Sequence, residues 1–223
     1  MQRRQRPQTA TNVLDPTLPI DLGEGSQRQR IIDAMIECCA EKTYAATTIA
    51  DIVKQASISR TTFYKRFPNK RACFDAALDY CIAEIEEAAT AAHAPTDSPP
   101  EAVRKALAAM LDLMAAKPAM AQLVMSDAIT VEPAILERYR SLLIPSLEGL
   151  LAESGEPRQP DAADPNLAFG RAQIMIFNQI ASGRTEELSQ LLPEIVYIAL
   201  LPYAGHDEAT QQAQLASEDL STR

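Results

Sequence analysis

Residues 47–70 contain two short amphipathic segments that are separated by only three residues. Thr48 followed three positions later by Asp51 is typical of a capping box, and it predicts a short helix that ends at residue 55. After the interruption at 56–58, Ser59 can cap a second short helix, which Pro68 must stop because the residue before a proline avoids helical backbone angles. Two such helices have the dimensions of a helix-turn-helix, whose second helix enters the major groove of DNA.

The second short helix has an apolar face and a polar face. Phe63 and Phe67 lie four residues apart and are expected to face the core, as Ile49, Ile52 and Val53 do from the first helix. The outward face then carries the polar side chains Arg60, Thr61, Thr62, Tyr64 and Lys65. Residues 54–71 hold six positive side chains and no acid, which indicates a polyanionic partner.

The composition favours helices for the rest of the chain. Only 5% of the 223 residues are aromatic while 47% are hydrophobic, so the core must consist mainly of Ala, Leu, Ile, Val and Met. The chain has 7 Gly, 15 Pro and no Trp, which argues against a β-sandwich, a β-barrel or a Gly-rich phosphate loop. We therefore predict an all-α fold.

Apolar periodicity and helix-breaking residues predict about nine helices and no strand. Their expected ranges are 26–44, 49–55, 60–66, 70–92, 100–116, 118–130, 133–153, 165–183 and 185–204. Residues 1–25 are expected to form a flexible basic arm whose arginines could follow a DNA groove, and the polar end at 205–223 is expected to fray.

No sequence feature indicates a cleaved leader, a membrane span, a cofactor or a metal site. The first twenty residues lack an apolar region, and the longest apolar run, Ile195 to Leu201, has only seven residues. Four cysteines without a CxxC motif indicate reduced thiols in the core, which agrees with a cytoplasmic protein. With His93 and His206 as the only histidines, a His-dependent triad or a three-His metal site is not supplied.

Charge divides the chain into a basic head and an acidic body. Residues 1–71 hold 12 Lys and Arg against 7 Asp and Glu, whereas residues 72–223 hold 9 against 23. An acidic body is compatible with a cationic effector, but a solvated acidic surface explains it equally well.

Residues 26–75 resemble the TetR (tetracycline-repressor-like) family of transcriptional regulators. The resemblance lies in TTIADIV, the turn ASIS, the recognition helix RTTFYKRF and the following PNK, all behind an amphipathic helix that begins near Ser26. Ser57 stands where the family usually has a glycine, which puts the backbone angles of the turn in question.

The resemblance implies a helix-turn-helix DNA-binding domain at 26–72 and an effector-binding and dimerisation domain at 73–204. It also implies a homodimeric regulator, commonly a repressor, that binds a palindromic operator and is released by a small molecule. By position, it assigns base reading to Arg60, Thr61, Tyr64 and Lys65, and phosphate contacts to Thr48, Thr62, Arg66 and Lys70. Two alternatives stay open: Tyr64 could be only a packing residue, and Lys70 could be a solvated side chain. Lys54 and Arg71 are expected to be solvated.

The last two long helices are the candidates for the dimer interface. The helix at 165–183 is apolar on two nearly opposite faces, so it must be covered twice, either by a partner or inside one core. Following the family resemblance, we assign the interface to Leu167, Gly170, Ile174, Phe177, Leu188, Leu192 and Ile195.

The effector pocket is predicted from adaptable apolar residues on the middle helices. A cluster of methionines suits an irregular cavity, although methionines also serve as ordinary core residues. The candidates are Met110, Met114, Met120, Leu123, Met125, Tyr139, Met175 and Phe177.

The sequence leaves two other classes of function as alternatives to a DNA-binding regulator. One is an all-helical interaction or scaffold protein whose basic helix binds an acidic partner. The other is an all-helical enzyme, but acidic pairs such as Glu86 and Glu87 are adjacent and diverge by ~100° on a helix, so they do not converge on a substrate.

Overall fold

The computed structural model describes residues 24–92, 94, 97–152 and 164–222 of the chain. The described parts contain no strand, and the predicted all-α class is confirmed. The helices are α1 Glu24–Ala46, α2 Ile49–Gln55, α3 Arg60–Arg66, α4 Lys70–Ala91, α5 Pro99–Ala116, α6 Pro118–Gln122, α7 Ala128–Val131, α8 Ile135–Ala152, α9 Pro165–Ala181 and α10 Leu192–Ser221. A π-helical turn at Leu123–Asp127 joins α6 to α7, and a 3₁₀ segment at Thr185–Leu191 precedes α10.

Polar side chains cap the helices of the N-terminal domain where the sequence predicts. Thr48 and Asp51 form a reciprocal capping box at the start of α2. The side chain of Ser59 accepts a hydrogen bond from the backbone N–H of Thr62, and Asn69 does the same for Ala72 at the start of α4. These caps satisfy amides that have no partner inside the helix, so they set where α2, α3 and α4 begin.

The first three helices and the start of α4 enclose one small core. Ile31 and Met35 of α1, Ile52 of α2 and Phe63 of α3 are all fully buried, and Phe74 of α4 is 1% exposed. The cysteines Cys38, Cys39, Cys73 and Cys81 are free and buried. Burial raises the pKa of Cys39, Cys73 and Cys81 to about 12, so these thiols stay protonated and serve as core packing.

Helix α5 is the central element of the larger C-terminal body. It packs against α4 on one side and against α10 and the 3₁₀ segment on the other, while α8 and α9 complete the bundle. Leu111 and Met114 of α5, Leu188 of the 3₁₀ segment and Val196 of α10 are buried in this core.

Three regions differ from the sequence-based prediction. The range 118–130, predicted as one helix, is interrupted by the π-helical turn. The start of the helix predicted at 185–204 is a 3₁₀ segment, and the polar end at 205–223 is helical through Ser221 instead of frayed. Gly205 has φ 77° and kinks α10, after which Ala209, Gln212 and Ala216 are buried. Arg104 of α5, only 8% exposed, donates a hydrogen bond to Gln212 at 3.1 Å and pairs with Asp219, which anchors this end.

The range 185–221 is long and apolar enough to cross a membrane by length and composition. The kink at Gly205 divides it, and its buried side chains pack against α5 and α9 as those of a core helix do. The predicted arm at 1–25 lies outside the described residues except for Glu24 and Gly25, which form the start of α1.

Candidate nucleic-acid interface and effector cavity

Helix α3 presents the predicted base-reading residues on one exposed surface. Arg60, Thr61, Tyr64 and Lys65 are all exposed, and Tyr64 retains 48% of its accessible surface. The opposite face buries Phe63, whose ring contacts Tyr64 edge-on at 5.5 Å between centroids. Packing therefore fixes α3 from behind and leaves cationic, hydrogen-bonding and aromatic side chains available to a groove.

The turn between α2 and α3 adopts a left-handed backbone conformation at Ser57, where φ is 51°. Arg30 of α1 donates hydrogen bonds to the carbonyl oxygens of Ala56 and Ser57, the latter at 3.1 Å. Serine thus holds the positive φ that a glycine would adopt more readily, with Arg30 as an external support. Ser57 therefore occupies the region of backbone angles that favours glycine.

The hydroxyl groups of Thr48 and Thr62 take part in helix caps. Thr48 Oγ1 donates to Asp51 Oδ2 at 2.7 Å and accepts from the backbone N–H of Asp51 at 3.2 Å. Lys42 Nζ lies 2.6 Å from Asp51 Oδ1, and hydrogen bonds from Lys42 and Thr48 hold the pKa of Asp51 well below its usual range. Thr62 Oγ1 lies 2.8 Å from Ser59 Oγ. Their roles as phosphate contacts stay predictions.

Lys70, predicted to bind a phosphate, is instead directed into the protein. Its ammonium donates to the carbonyl oxygens of Tyr44 at 2.8 Å and Thr47 at 2.9 Å, and it lies 4.0 Å from the centroid of the Tyr44 ring. The last carbonyls of a helix have no hydrogen-bond donor within the helix. Lys70 supplies a donor to two carbonyls, one in the last turn of α1 and one just after it. Arg66 reaches Gln27 of α1 at 3.5 Å, so this predicted phosphate contact is also close to α1.

A cavity of about 290 Å³ lies in the C-terminal body among α4, α5, α8, α9, α10 and the π-helical turn. It is at the small end of the range of ~300–1,000 Å³ typical of small-molecule sites. Its lining is formed by Ile82, Ile85, Glu86, Ala89, Thr90, Val103, Ala106, Leu107, Met110, Val124, Met125, Tyr139, Ile144, Pro165, Ala168, Phe169, Ala172, Gln173, Ile176, Ile195, Ala199 and Tyr203.

The structure brings three of the eight predicted pocket residues to this cavity, namely Met110, Met125 and Tyr139. Met114, Met120 and Leu123 are buried in the surrounding core, and Met175 is partly buried against it. Phe177 points outward from α9 with 39% of its surface exposed, so it does not line the cavity.

Sequence reasoning missed the contribution of α4 to the cavity wall. Five lining residues, Ile82, Ile85, Glu86, Ala89 and Thr90, lie on this helix. The length of α4 could have indicated this contribution. Its 22 residues continue past the N-terminal core and carry apolar side chains at helical spacing. The same helix therefore begins directly after α3 and ends at the cavity.

The π-helical turn provides a second connection between the cavity and the N-terminal domain. The hydroxyl of Tyr139, which lines the cavity, donates to the carbonyl oxygen of Val124 in this turn at 3.0 Å. At its other end, Asp127 Oδ1 accepts a hydrogen bond of 2.7 Å from the backbone N–H of Tyr44. Asp127 is 5% exposed, and burial raises the pKa of its carboxyl although the bond from Tyr44 lowers it.

Helix α9 carries an exposed apolar stripe. Leu167, Ile174 and Phe177 keep 69%, 61% and 39% of their accessible surface, and Gly170 lies between them with open space above it. In contrast, Leu188, Leu192 and Ile195 are buried inside the subunit at 0–1% exposure. The prediction that these three residues form the dimer interface is therefore wrong for this subunit, because they belong to its internal core.

Among the described residues, no group of three or more His, Cys, Asp and Glu side chains is placed to hold a metal ion.

Comparison with known proteins identifies the N-terminal domain. Residues 31–77 match the family model described as "Bacterial regulatory proteins, tetR family". Over 92 residues, the chain is 33% identical to the HTH-type transcriptional regulator YxbF of Bacillus subtilis (strain 168). That alignment covers 41% of this chain and 24% of YxbF, so the chain spans about a quarter of the length of this relative.

Solved structures match about four fifths of the chain in fold. The fatty acid degradation regulator FadR of Bacillus halodurans superimposes with a TM-score of 0.67 at 20% identity, over 81% of this chain and 96% of FadR. FadR of Bacillus subtilis, solved in complex with stearoyl-CoA, gives a TM-score of 0.55 at 23% identity, over 79% and 98% of the two chains. At these identities the similarity establishes the shared all-helical fold.

Proposed function

Because this chain belongs to the tetR family of bacterial regulatory proteins, we propose that it is a DNA-binding transcriptional regulator of the cytoplasm. In this proposal it acts as a repressor, binds a palindromic operator as a homodimer and leaves the DNA when a small molecule occupies the cavity. Proteins of this family are transcription factors and not enzymes.

The observation that carries the proposal is the geometry of α3. Its buried Phe63 and its Ser59 cap hold the helix in place, while Arg60, Tyr64 and Lys65 extend from the exposed side. Arginine can form two hydrogen bonds with a guanine edge, and a tyrosine ring or a threonine methyl group can contact the methyl group of thymine. These are the groups that a sequence-reading helix needs.

The exposed stripe on α9 supports the dimer. Three large apolar side chains in water are unfavourable for a soluble monomer, and a symmetric partner would cover both stripes at once. Two recognition helices related by a two-fold axis then require inverted half-sites, ~34–36 Å or a multiple of this distance apart along the DNA.

Effector control is supported by the two connections between the cavity and the N-terminal domain. Helix α4 extends from the end of the recognition helix to the cavity wall, and the π-helical turn contacts both Tyr139 at the cavity and Tyr44 at the end of α1. A ligand that favours one arrangement of these elements would change operator affinity ~5–150-fold for a coupling of ~1–3 kcal/mol. FadR of Bacillus subtilis, bound to stearoyl-CoA, gives a precedent for a lipophilic ligand in this fold.

The proposal is tested with an operator selected from genomic fragments and with variants of α3. Arg60→Ala and Tyr64→Ala should each lose ~1–3 kcal/mol of binding to the operator and discriminate less against mutated sites, because each removes a base contact. Lys54→Ala, which changes an exposed residue of α2, is the matched control and should keep the sequence preference. Binding titrations at physiological salt in which operator and scrambled DNA are equivalent would contradict the proposal and favour a scaffold that binds an acidic partner.

A further inference from the structure

The cavity combines apolar walls with a single acidic group. Of its 22 described lining residues, Glu86 is the only one that carries a charge at neutral pH. Glu86 is exposed on α4, whereas Val103, Ile176 and Ile195 line the interior and are at most 6% exposed. The site therefore has a buried apolar interior and a mouth marked by a carboxylate.

The carboxylate of Glu86 forms no ion pair or hydrogen bond within the described part of the chain. Thr90, one turn further along α4, donates its hydroxyl to the backbone carbonyl of Glu86 at 2.8 Å and also lines the cavity. Glu84, on another side of α4, is already paired with Lys117 at 2.8 Å. Glu86 is thus a carboxylate at the cavity that no described basic side chain neutralises.

The described basic side chains of α5 and α8 are paired with acids. Lys105 lies 2.8 Å from Asp97, and Arg138 lies 2.9 Å from Asp79. Arg104 is bound to α10 through Asp219, and Arg171 of α9 is exposed and absent from the lining.

This distribution of charge discriminates between ligands that share an apolar tail. A carboxylate or a coenzyme A thioester would bring negative charge to Glu86 with no cation among the described lining residues to compensate it, and the acidic body adds to the repulsion. A protonated amine would gain the attraction of Glu86, while its tail is buried in the cavity. A cavity of about 290 Å³ is also too small to enclose a nucleotide together with an acyl chain.

We propose that the effector of this protein is a lipophilic cation, an alkylamine-like molecule whose tail fills the cavity and whose ammonium group lies beside Glu86. This inference rests on the proposed effector control and specifies its ligand class. It also separates the protein from its structural neighbour that binds stearoyl-CoA.

The test compares four ten-carbon probes at pH 7 by isothermal titration: decylamine, decanol, decanoate and decanoyl-CoA. Decylamine is expected to bind most tightly, at least ~5-fold better than decanoate. Its ammonium group is attracted by the carboxylate of Glu86, which repels the negative charge of decanoate. Glu86→Gln should weaken decylamine ~2–5-fold, since an exposed ion pair is modest, and leave decanol unchanged. Glu87→Gln, an exposed neighbour absent from the lining, is the matched control and should leave all four affinities unchanged.

Several results would overturn the inference. One is that decanoate or decanoyl-CoA binds as tightly as decylamine, and another is that no probe binds. A third is that Glu86→Gln and Glu87→Gln lower the affinity for decylamine equally. Operator release by decylamine is measured in a separate fluorescence-anisotropy titration. Tight decylamine binding without release would contradict effector control but support the proposed ligand class. Release by decanoate alone would support effector control but contradict the proposed ligand class.

Discussion

Ser57 and Lys70 are single residues on which the position of the recognition helix depends. Ser57 holds a φ of 51° between α2 and α3, and Lys70 joins the end of α1 to the start of α4 through two backbone carbonyls. Both residues belong to the segment that resembles DNA-binding domains, but the structure assigns them local structural tasks. Each task leads to a change in stability that can be measured apart from DNA binding.

Ser57→Gly should stabilise the protein. A left-handed conformation costs a non-glycine residue roughly 1–2 kcal/mol, and the greater freedom of glycine in the unfolded chain offsets part of the gain. We expect a net increase of about 0.5–1 kcal/mol in the free energy of unfolding, measured by urea denaturation. Gln55→Gly inside α2, which should destabilise the protein, is the control, and a loss of stability in Ser57→Gly would contradict the strain argument.

Lys70→Met should lower the free energy of unfolding by roughly 1–3 kcal/mol, because the carbonyls of Tyr44 and Thr47 lose a charged donor. The slope of operator affinity against salt concentration should stay the same, since the ammonium is directed into the protein. Lys54→Met on exposed α2 is the stability control. If Lys70→Met instead makes the salt slope shallower by about one, the side chain contacts a phosphate as the sequence predicts.

At the scale of elements, the π-helical turn is the feature that links the two halves of the molecule. A π-helical turn inserts an extra residue into the helix, and such turns are frequent at functional sites. Here the turn receives Tyr139 from the cavity side and contacts Tyr44 of α1 through Asp127. Helix α4 forms the other link, because it begins at Lys70, shortly after the recognition helix, and contributes Glu86 to the cavity.

Asp127→Ala should loosen the contact between this turn and α1. The backbone N–H of Tyr44 would lose its acceptor, which costs ~1–3 kcal/mol for a buried donor, and its hydrogen exchange should become at least ~10-fold faster. Asp127→Asn keeps an oxygen at the same position and should preserve the protection of the Tyr44 amide. Equal exchange rates for the Tyr44 amide in wild type and Asp127→Ala would mean that the hydrogen bond does not hold the two elements together.

At the scale of the whole molecule, charge and exposed apolar surface are distributed in a way that suits a dimer on DNA. The basic residues of the chain are concentrated in residues 1–71, whereas the body is acidic and repels the DNA backbone. The apolar stripe of Leu167, Ile174 and Phe177 lies on α9 of this body. A dimer formed there would keep both recognition helices available to one duplex.

Ile174→Glu should convert the proposed dimer into monomers, because it places a charge in the centre of the exposed stripe. Light scattering at micromolar concentration should report a halved mass, and operator binding should lose its two-site character. Ile174→Leu keeps the stripe apolar and is the control. Leu192→Glu is unsuitable, since Leu192 is 1% exposed in the core and a charge there would unfold the subunit. A monomeric wild-type protein would contradict the prediction.

Local interactions explain why the sequence alone determined the helix-turn-helix and the all-α class. Caps at Thr48, Ser59 and Asn69 and the helical spacing of Phe63 and Phe67 act within a few residues, so their effects can be inferred from neighbours in the chain. The exposure of the α3 side chains follows from the same spacing. The family resemblance pointed to the same segment.

Only the tertiary structure decided the roles of Lys70, Leu192 and α4. It also decided that the π-helical turn forms and that the chain stays helical after Gly205. Lys70 finds its acceptors 23 and 26 residues away, Asp127 meets Tyr44 across 83 residues, and Arg104 reaches Asp219 across 115. An apolar stripe in a sequence indicates burial. It does not specify whether the stripe is covered by the core of the same subunit, by a partner or by a ligand. That choice depends on which elements pack together, and packing brings together residues that no local pattern connects.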